Sequence, residues 1–378
     1  MTVLSEEQVL LRDGARAWAD ERSPVAALRK LRDEGAPLGF DPAVWREMGE
    51  MGWAGVVVPE AQGGSEFGYR SLGLVLEETG RTLTSSPLLS SGLIAAAALT
   101  LGGSASQKEA WLPRIAAAGV VMALALEEHP HHDPARTALK AERQGEGFVL
   151  DGAKTFVLDG MAADAFIVVA RTSGEPGQTH GLTLFLVPGD TPGLTRTRLD
   201  LIDGRGAANL TLSGVEVGAG AVLGAVDRGA DVLEPVLDRA RAGLAAEMLG
   251  TATQAFEITV DYLKTRTQFG QLIGAFQALQ HRAAKMFTDL EMTRSCVYAA
   301  LDAIDAQANE TGALVSLAKA KASDALHLVS NEMVQMHGGI GMTDAHDAGI
   351  YMKRARVAEA TFGSASWHRD RYARLSGF

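Results

Sequence analysis

Cysteine is almost missing from this chain. Its 378 residues include one, Cys296. No disulfide can form within the chain, which suits a reducing compartment, and no His/Cys cluster gives a zinc pattern. The loop HPHHDP (129–134) lacks a companion ligand set, so no metal is expected. A basic excess is missing too. Lys and Arg number 35 against 46 Asp and Glu, a formal net charge of −11. Nucleic-acid binding needs a basic footprint, so that class is excluded. Long hydrophobic runs are absent. The most apolar stretch, LIAAAALTLGG (93–103), is too short to cross a bilayer. The start, MTVLSEEQVLLRDGARAW, lacks the basic opening and apolar run of a signal peptide. There is no internal repeat and no low-complexity tail. The expectation is a cytoplasmic protein with no membrane partner.

What is present is ordinary globular material, 47% hydrophobic and 21% charged, long enough for two or three domains. Periodicity divides it into three zones. Residues 1–118 repeat apolar side chains at helical spacing, as in EEQVLLRDGARAWADE and FDPAVWREMGEMGW. Residues 119–225 read as strands. GFVLDGAKTFVLDG (147–160) predicts a hairpin turning at Asp151-Gly152; AFIVVAR, LTLFLVPG and ANLTLSGVEV follow as short β runs. A small barrel or sandwich is expected. Residues 226–378 return to the helical period in four segments, 231–263, 275–305, 311–336 and 345–362, the pattern of a bundle.

Two stretches carry chemistry. In YLKTRTQFGQLIGAFQALQHRAAKM (262–286), Arg266 and Gln268 sit near a helix end, before the break at Gly270. An arginine there can fork onto a phosphate or carboxylate; the plain alternative is a surface arginine beside a turn glycine. In QMHGGIGMTDAHDAGIYMKRAR (335–356), Gly338, Gly339 and Gly341 allow close backbone approach to a ligand. Gln335 can hydrogen-bond a sugar or phosphate. The alternative is a helix C-cap.

In this order the two stretches resemble the acyl-CoA dehydrogenase family. WREMGEMGWAGVVVPEAQGG, LVLEETGR (74–81), the β middle and the helical end extend the resemblance over essentially the whole chain. It implies an N-terminal helical domain, a middle β-barrel and a C-terminal four-helix bundle, with FAD as cofactor and a dimer or dimer of dimers. Arg266 would reach the FAD pyrophosphate of a neighbouring subunit, with Gln268 and Phe269 along the same path. Gln277, Gln335, Gly338 and Gly339 would hold the ribityl–pyrophosphate–adenosine part. The implied activity is oxidation of an acyl-CoA to the trans-2-enoyl-CoA, with electrons passing to an electron-transfer flavoprotein.

The chain departs from the family in two places. Phe362, in ATFGSASWHR (360–369), stands at the position of the usual catalytic Glu. Ala240 stands where a branched-chain subgroup carries its base. In the β zone, Leu126 and Leu158 replace two threonines that meet the flavin, and Phe156 replaces a tryptophan. The remaining candidate base is Glu247, in RAGLAAEMLG (241–250). It lies two helical turns from Ala240, roughly 10 Å along the axis. A carboxylate among apolar neighbours has a raised pKa, which suits a base working near neutrality. The alternative is an ion pair with Arg239, Arg241, Lys264 or Arg354. Glu359 is a rival base or a solvated surface residue, and Asp344 and Asp347 are expected to cap the next helix. Two other functions stay open: a non-catalytic subunit completing the FAD site of an α2β2 acyl-CoA dehydrogenase, and a flavin oxidase or monooxygenase on the same fold.

Overall fold

Ser5 starts the first helix. Its hydroxyl accepts from Gln8 N, and the Gln8 side chain accepts from Ser5 N, both at 3.2 Å. That reciprocal cap satisfies two orphan donors of α1 (Glu6–Arg22). The computed structural model describes residues 3–378. It separates into two units, one formed by the chain up to Leu28, Tyr69–Thr84 and Arg241–Phe378, the other by Arg29–Gly68 and Ser85–Ala240. The helices preceding the sheet are α1, α2 (Val25–Asp33), α3 (Pro42–Glu50), α4 (Gly68–Arg81), α5 (Ala96–Gly102) and α6 (Ala105–Ala116).

The second unit holds the strands. They are β1 (Met122–Ala125), β2 (Lys140–Gln144), β3 (Gly147–Leu158), β4 (Ala165–Arg171), β5 (Leu182–Pro188), β6 (Leu194–Asp200), β7 (Gly206–Val217) and β8 (Val222–Leu223). They form one eight-stranded sheet in the order β6-β7-β3-β2-β4-β5-β8, with β1 parallel to β4. All of β4 is buried, which its near-continuous apolar run requires. The hairpin expected at Asp151-Gly152 is not there. β3 runs straight through, and the reversal falls between Gln144 and Gly147, which pair. Gly152 marks a register shift instead, at φ +144. A Cβ there would lie 2.9 Å from Leu139 Cγ. Asp-Gly reads as a turn locally, but here it makes room for a close neighbour in mid-strand.

The first unit is helical. It contains most of the long α7 (Ala230–Thr265), then α8 (Gln277–Asp305), α9 (Thr311–His337), α10 (Ala348–Ala360) and α11 (Ala365–Leu375). A two-strand hairpin of β9 (Thr267–Gln268) and β10 (Gln271–Leu272) sits between α7 and α8. Backbones of α4 and α7 meet directly. A Cβ on Gly80 would stand 2.3 Å from Glu247 O, and one on Gly250 1.7 Å from Glu77 O. Only two glycines let the helices approach so closely. Beside the crossing, Glu77 pairs with Arg294 and accepts the Tyr298 hydroxyl at 2.8 Å. The apolar core of this unit includes Met286, Leu290, Val297, Leu326, Val329 and Met333.

Candidate functional site

One end of the helical unit gathers the residues of both sequence stretches. Tyr262, near the end of α7, stacks on His337 at the end of α9, with ring centroids 4.3 Å apart. The Tyr262 hydroxyl donates to His337 O at 3.4 Å. His337 is buried, and burial lowers its pKa, with its Nδ1 2.7 Å from Met333 O. A neutral stacked imidazole thus joins the segment after α7 to the glycine run after α9.

The tip of the β9–β10 hairpin is strained. Phe269 and Gly270 have φ of +54° and +78°, the conformation of a two-residue type I′ turn, which favours Asn-Gly. A phenylalanine with positive φ is an outlier, and here it is 87% exposed. Arg266, Gln268, Gln277 and Gln335 are also exposed, and among the described residues their side chains make no hydrogen bond or ion pair. Gly338 has φ +63°, and a Cβ on Gly338 or Gly339 would meet nothing within 4 Å. Their lack of side chains serves no packing inside this chain. Leu272, Ile340 and Met342 are exposed as well. A forked cation, three amides, an open glycine run and apolar side chains make a donor set that fits a dinucleotide pyrophosphate with flat ring systems.

Glu247 lies elsewhere and is differently arranged. It is 4% exposed, at the α4–α7 crossing. Arg354 of α10, itself 5% exposed, donates to Glu247 Oε1 from Nε at 3.1 Å and from Nη2 at 2.8 Å. The apolar neighbours in RAGLAAEMLG offer no local counter-ion; of the four partners open in the sequence, α10 supplies Arg354 from 107 residues further along the chain. The carboxylate is one half of a buried ion pair, the alternative that the sequence offered to a base. The pair ties α7 to α10.

The other candidates are also engaged. Ala240 is fully buried, and Phe362 is buried at φ +56°. Lys319 of α9 holds the turn at Phe362. Its Nζ donates to Ala358 O at 3.1 Å, Glu359 O at 3.3 Å and Gly363 O at 3.1 Å. Burial pushes this ammonium down to about 7, with Glu359 opposing and Arg241 and Arg354 adding to the shift. The Glu359 carboxylate accepts from Arg356 at 2.6 Å and lies 3.2 Å from His327 Nδ1. Arg356, Glu359, His327, Asp324, Ser364 and Ser366 line an open pocket of about 560 Å³. Asp347 occupies the N-cap position of α10 but makes no side-chain cap bond; Ala348 N is 3.1 Å from His346 Nδ1 instead.

In the second unit, the stretches around Leu126 and Phe156–Leu158 are tied together. Thr155 N donates to Glu127 O at 2.7 Å. The fully buried Lys154 donates to Leu126 O at 3.0 Å and Glu128 Oε1 at 2.6 Å. Glu128 also accepts from Ala138 N and Leu139 N. Burial lowers the Lys154 pKa, and Glu128 opposes the shift. Sequence reading missed Lys154 and Lys319, and offered Arg354 as one of four possible partners of Glu247. A signal existed for Lys154, a charged residue among the inward positions of a half-buried strand. None existed for Lys319, because helical period alone does not reveal what faces a buried cation.

The chain matches three family models in succession: acyl-CoA dehydrogenase N-terminal domain over residues 5–119, middle domain over 127–215 and C-terminal domain over 227–376. It is 31% identical to an acyl-CoA dehydrogenase of Bacillus subtilis over 96% of this chain and 95% of that protein. The solved Tcur3481-Tcur3483 steroid ACAD is 33% identical with a TM-score of 0.88, covering 98% of both chains. A chain of the ChsE4-ChsE5 complex from Mycobacterium tuberculosis is 28% identical with a TM-score of 0.91, covering 100% of both. With all three models matched in order over nearly its whole length, the chain belongs to the acyl-CoA dehydrogenase family, oxidoreductases acting on CH–CH groups.

Proposed function

We propose that this chain is a subunit of an FAD-dependent enzyme that introduces an α,β double bond into an acyl-CoA thioester, and that its bundle end closes the FAD site of a second subunit. The observation that carries this is the bundle end itself. Among the described residues the side chains of Arg266, Gln268, Gln277 and Gln335 make no hydrogen bond or ion pair, and Phe269 is held strained and exposed. FAD, when bound, accepts the hydride from the substrate β carbon. Arg266 would fork onto the pyrophosphate, Gln268 and Phe269 would flank it, and Gln277, Gln335, Gly338 and Gly339 would take the remaining oxygens and ribose. Electrons would leave to an electron-transfer flavoprotein, and the setting would be the cytoplasm.

A second reading follows from the engaged carboxylates. With Glu247 clasped by Arg354 and Phe362 at the position that the resemblance gives to the usual Glu, the α proton would be taken by a carboxylate on an unlike partner chain, in an α2β2 assembly. Two structural relatives are named as pairs of chains, which supports this arrangement over a homodimer or homotetramer. Purifying the chain alone and with an acyl-CoA dehydrogenase-like chain from its gene neighbourhood tests both readings. Expected are FAD in the assembly and anaerobic flavin bleaching by an acyl-CoA only when both chains are present. Bleaching by this chain alone removes the two-chain reading. No FAD in either preparation removes the whole proposal, and steady O2 consumption without an electron-transfer flavoprotein reassigns it to an oxidase.

A further inference from the structure

We infer that Asn209 is a positioning residue for the flavin-facing edge of the β domain: its side-chain oxygen holds the bulge that presents Phe156 and Leu158. The inference rests on the proposed function and on the family resemblance, which sets the stretch around Phe156 and Leu158 against the flavin. Between β3 and β7, Lys154 pairs with Leu210 and Val157 with Ala208, so β3 carries one extra residue there. Lys154 and Val157 are buried; Thr155, Phe156 and Leu158 are half-buried. The extra residue therefore turns neighbouring side chains outward together. Bulges beside active sites re-aim side chains in this way.

Phe156 has φ +52°. A residue with a Cβ stays in that region only where its surroundings over-determine it. Asn209 supplies that constraint. Its Oδ1 accepts the Thr155 hydroxyl at 2.7 Å and the Phe156 N–H at 3.3 Å. From the other side, Thr155 N donates to Glu127 O at 2.7 Å. The chain lacks threonine hydroxyls at 126 and 158, so its edge is held from behind by an amide.

The test uses the FAD-loaded protein in its native assembly. Asn209→Ala removes both acceptor bonds and frees Phe156 to return to extended backbone. The visible flavin bands should shift. The relative affinity for oxidised and reduced flavin should change about tenfold, which is about 30 mV for a two-electron couple. Asn209→Asp keeps an acceptor oxygen and should restore both readouts, which a general loss of stability would not do. Thr155→Val removes one bond and should move the bands in the same direction by less. Bands and potential unmoved in Asn209→Ala and Thr155→Val at full loading overturn the inference alone. A parent assembly that takes up no FAD overturns the proposed function as well.

Discussion

Within the helical unit, the bundle end and the Glu247 crossing treat charge in opposite ways. At the crossing, Glu247 and Arg354 are both buried and bonded to each other. At the bundle end, Arg266, Gln268, Gln277 and Gln335 are exposed, and among the described residues their side chains bond nothing. The two places also differ in strain. The crossing is relaxed by Gly80 and Gly250, which allow backbone contact. The hairpin tip keeps a phenylalanine where asparagine would be easier. A buried pair can be explained by the energetics of this chain alone. An exposed forked cation beside a strained aromatic is not explained in that way, which is why we propose the cofactor pyrophosphate as its partner.

The largest effect expected from breaking this contrast is at the crossing. Glu247→Ala leaves Arg354 buried without its carboxylate and should cost about 3–5 kcal/mol of stability, read by urea unfolding. Glu247→Gln should leave the rate of flavin bleaching within tenfold of the parent assembly. A fall of 10² or more would restore Glu247 as the base.

Arg266→Ala should behave in the opposite manner. Loss of a charge-assisted fork should weaken FAD retention by on the order of 2–3 kcal/mol, roughly a hundredfold, with unfolding of the apoprotein unchanged. Full flavin content after desalting would remove Arg266 from the site.

Acidity gives a third, smaller handle. The Lys319 pKa falls from the ordinary 10.5 to about 7 on folding. Below pH 7 both states hold the proton, and the folded state carries the full cost of the buried ammonium. Between pH 7 and 10.5 the unfolded chain holds a proton that the folded chain does not, so folding stability rises with pH. The stability of the parent relative to Lys319→Met should climb across that window with a slope of at most about 1.4 kcal/mol per pH unit. A flat difference would mean that Lys319 stays charged in the fold.

The smallest effect should come from Phe269→Asn. An Asn-Gly tip suits a type I′ turn, so the chain itself should be unchanged or more stable by roughly 0.5–1 kcal/mol. Flavin retention in the assembly should nevertheless fall. Tighter FAD binding together with higher stability would show that the strain at Phe269 serves nothing.

Much of this was readable from residue order. Helical period found α7 to α10 within a few residues, since burial of one face imposes it. The stretches around Arg266 and Gly338, singled out in the sequence, lie together at one end of the helical unit, joined by Tyr262 and His337. The failures were of another kind. Asp151-Gly152 has the composition of a turn, yet β2 and β7 pair along both sides of β3 and keep it straight. Asp347 has the composition of a cap, but His346 is placed to take the backbone N–H.

Order along the chain thus determined the helical, β and helical succession and the family, because periodicity and residue chemistry act over a few positions. Tertiary structure decided which charges are available. Arg354 reaches Glu247 across 107 residues, and Lys319 reaches the Phe362 turn across about forty. Among the described residues, none bonds the Arg266 side chain. Whether a carboxylate in an apolar helix is a base or half of an ion pair depends on the helix packed against it, and that contact is non-local.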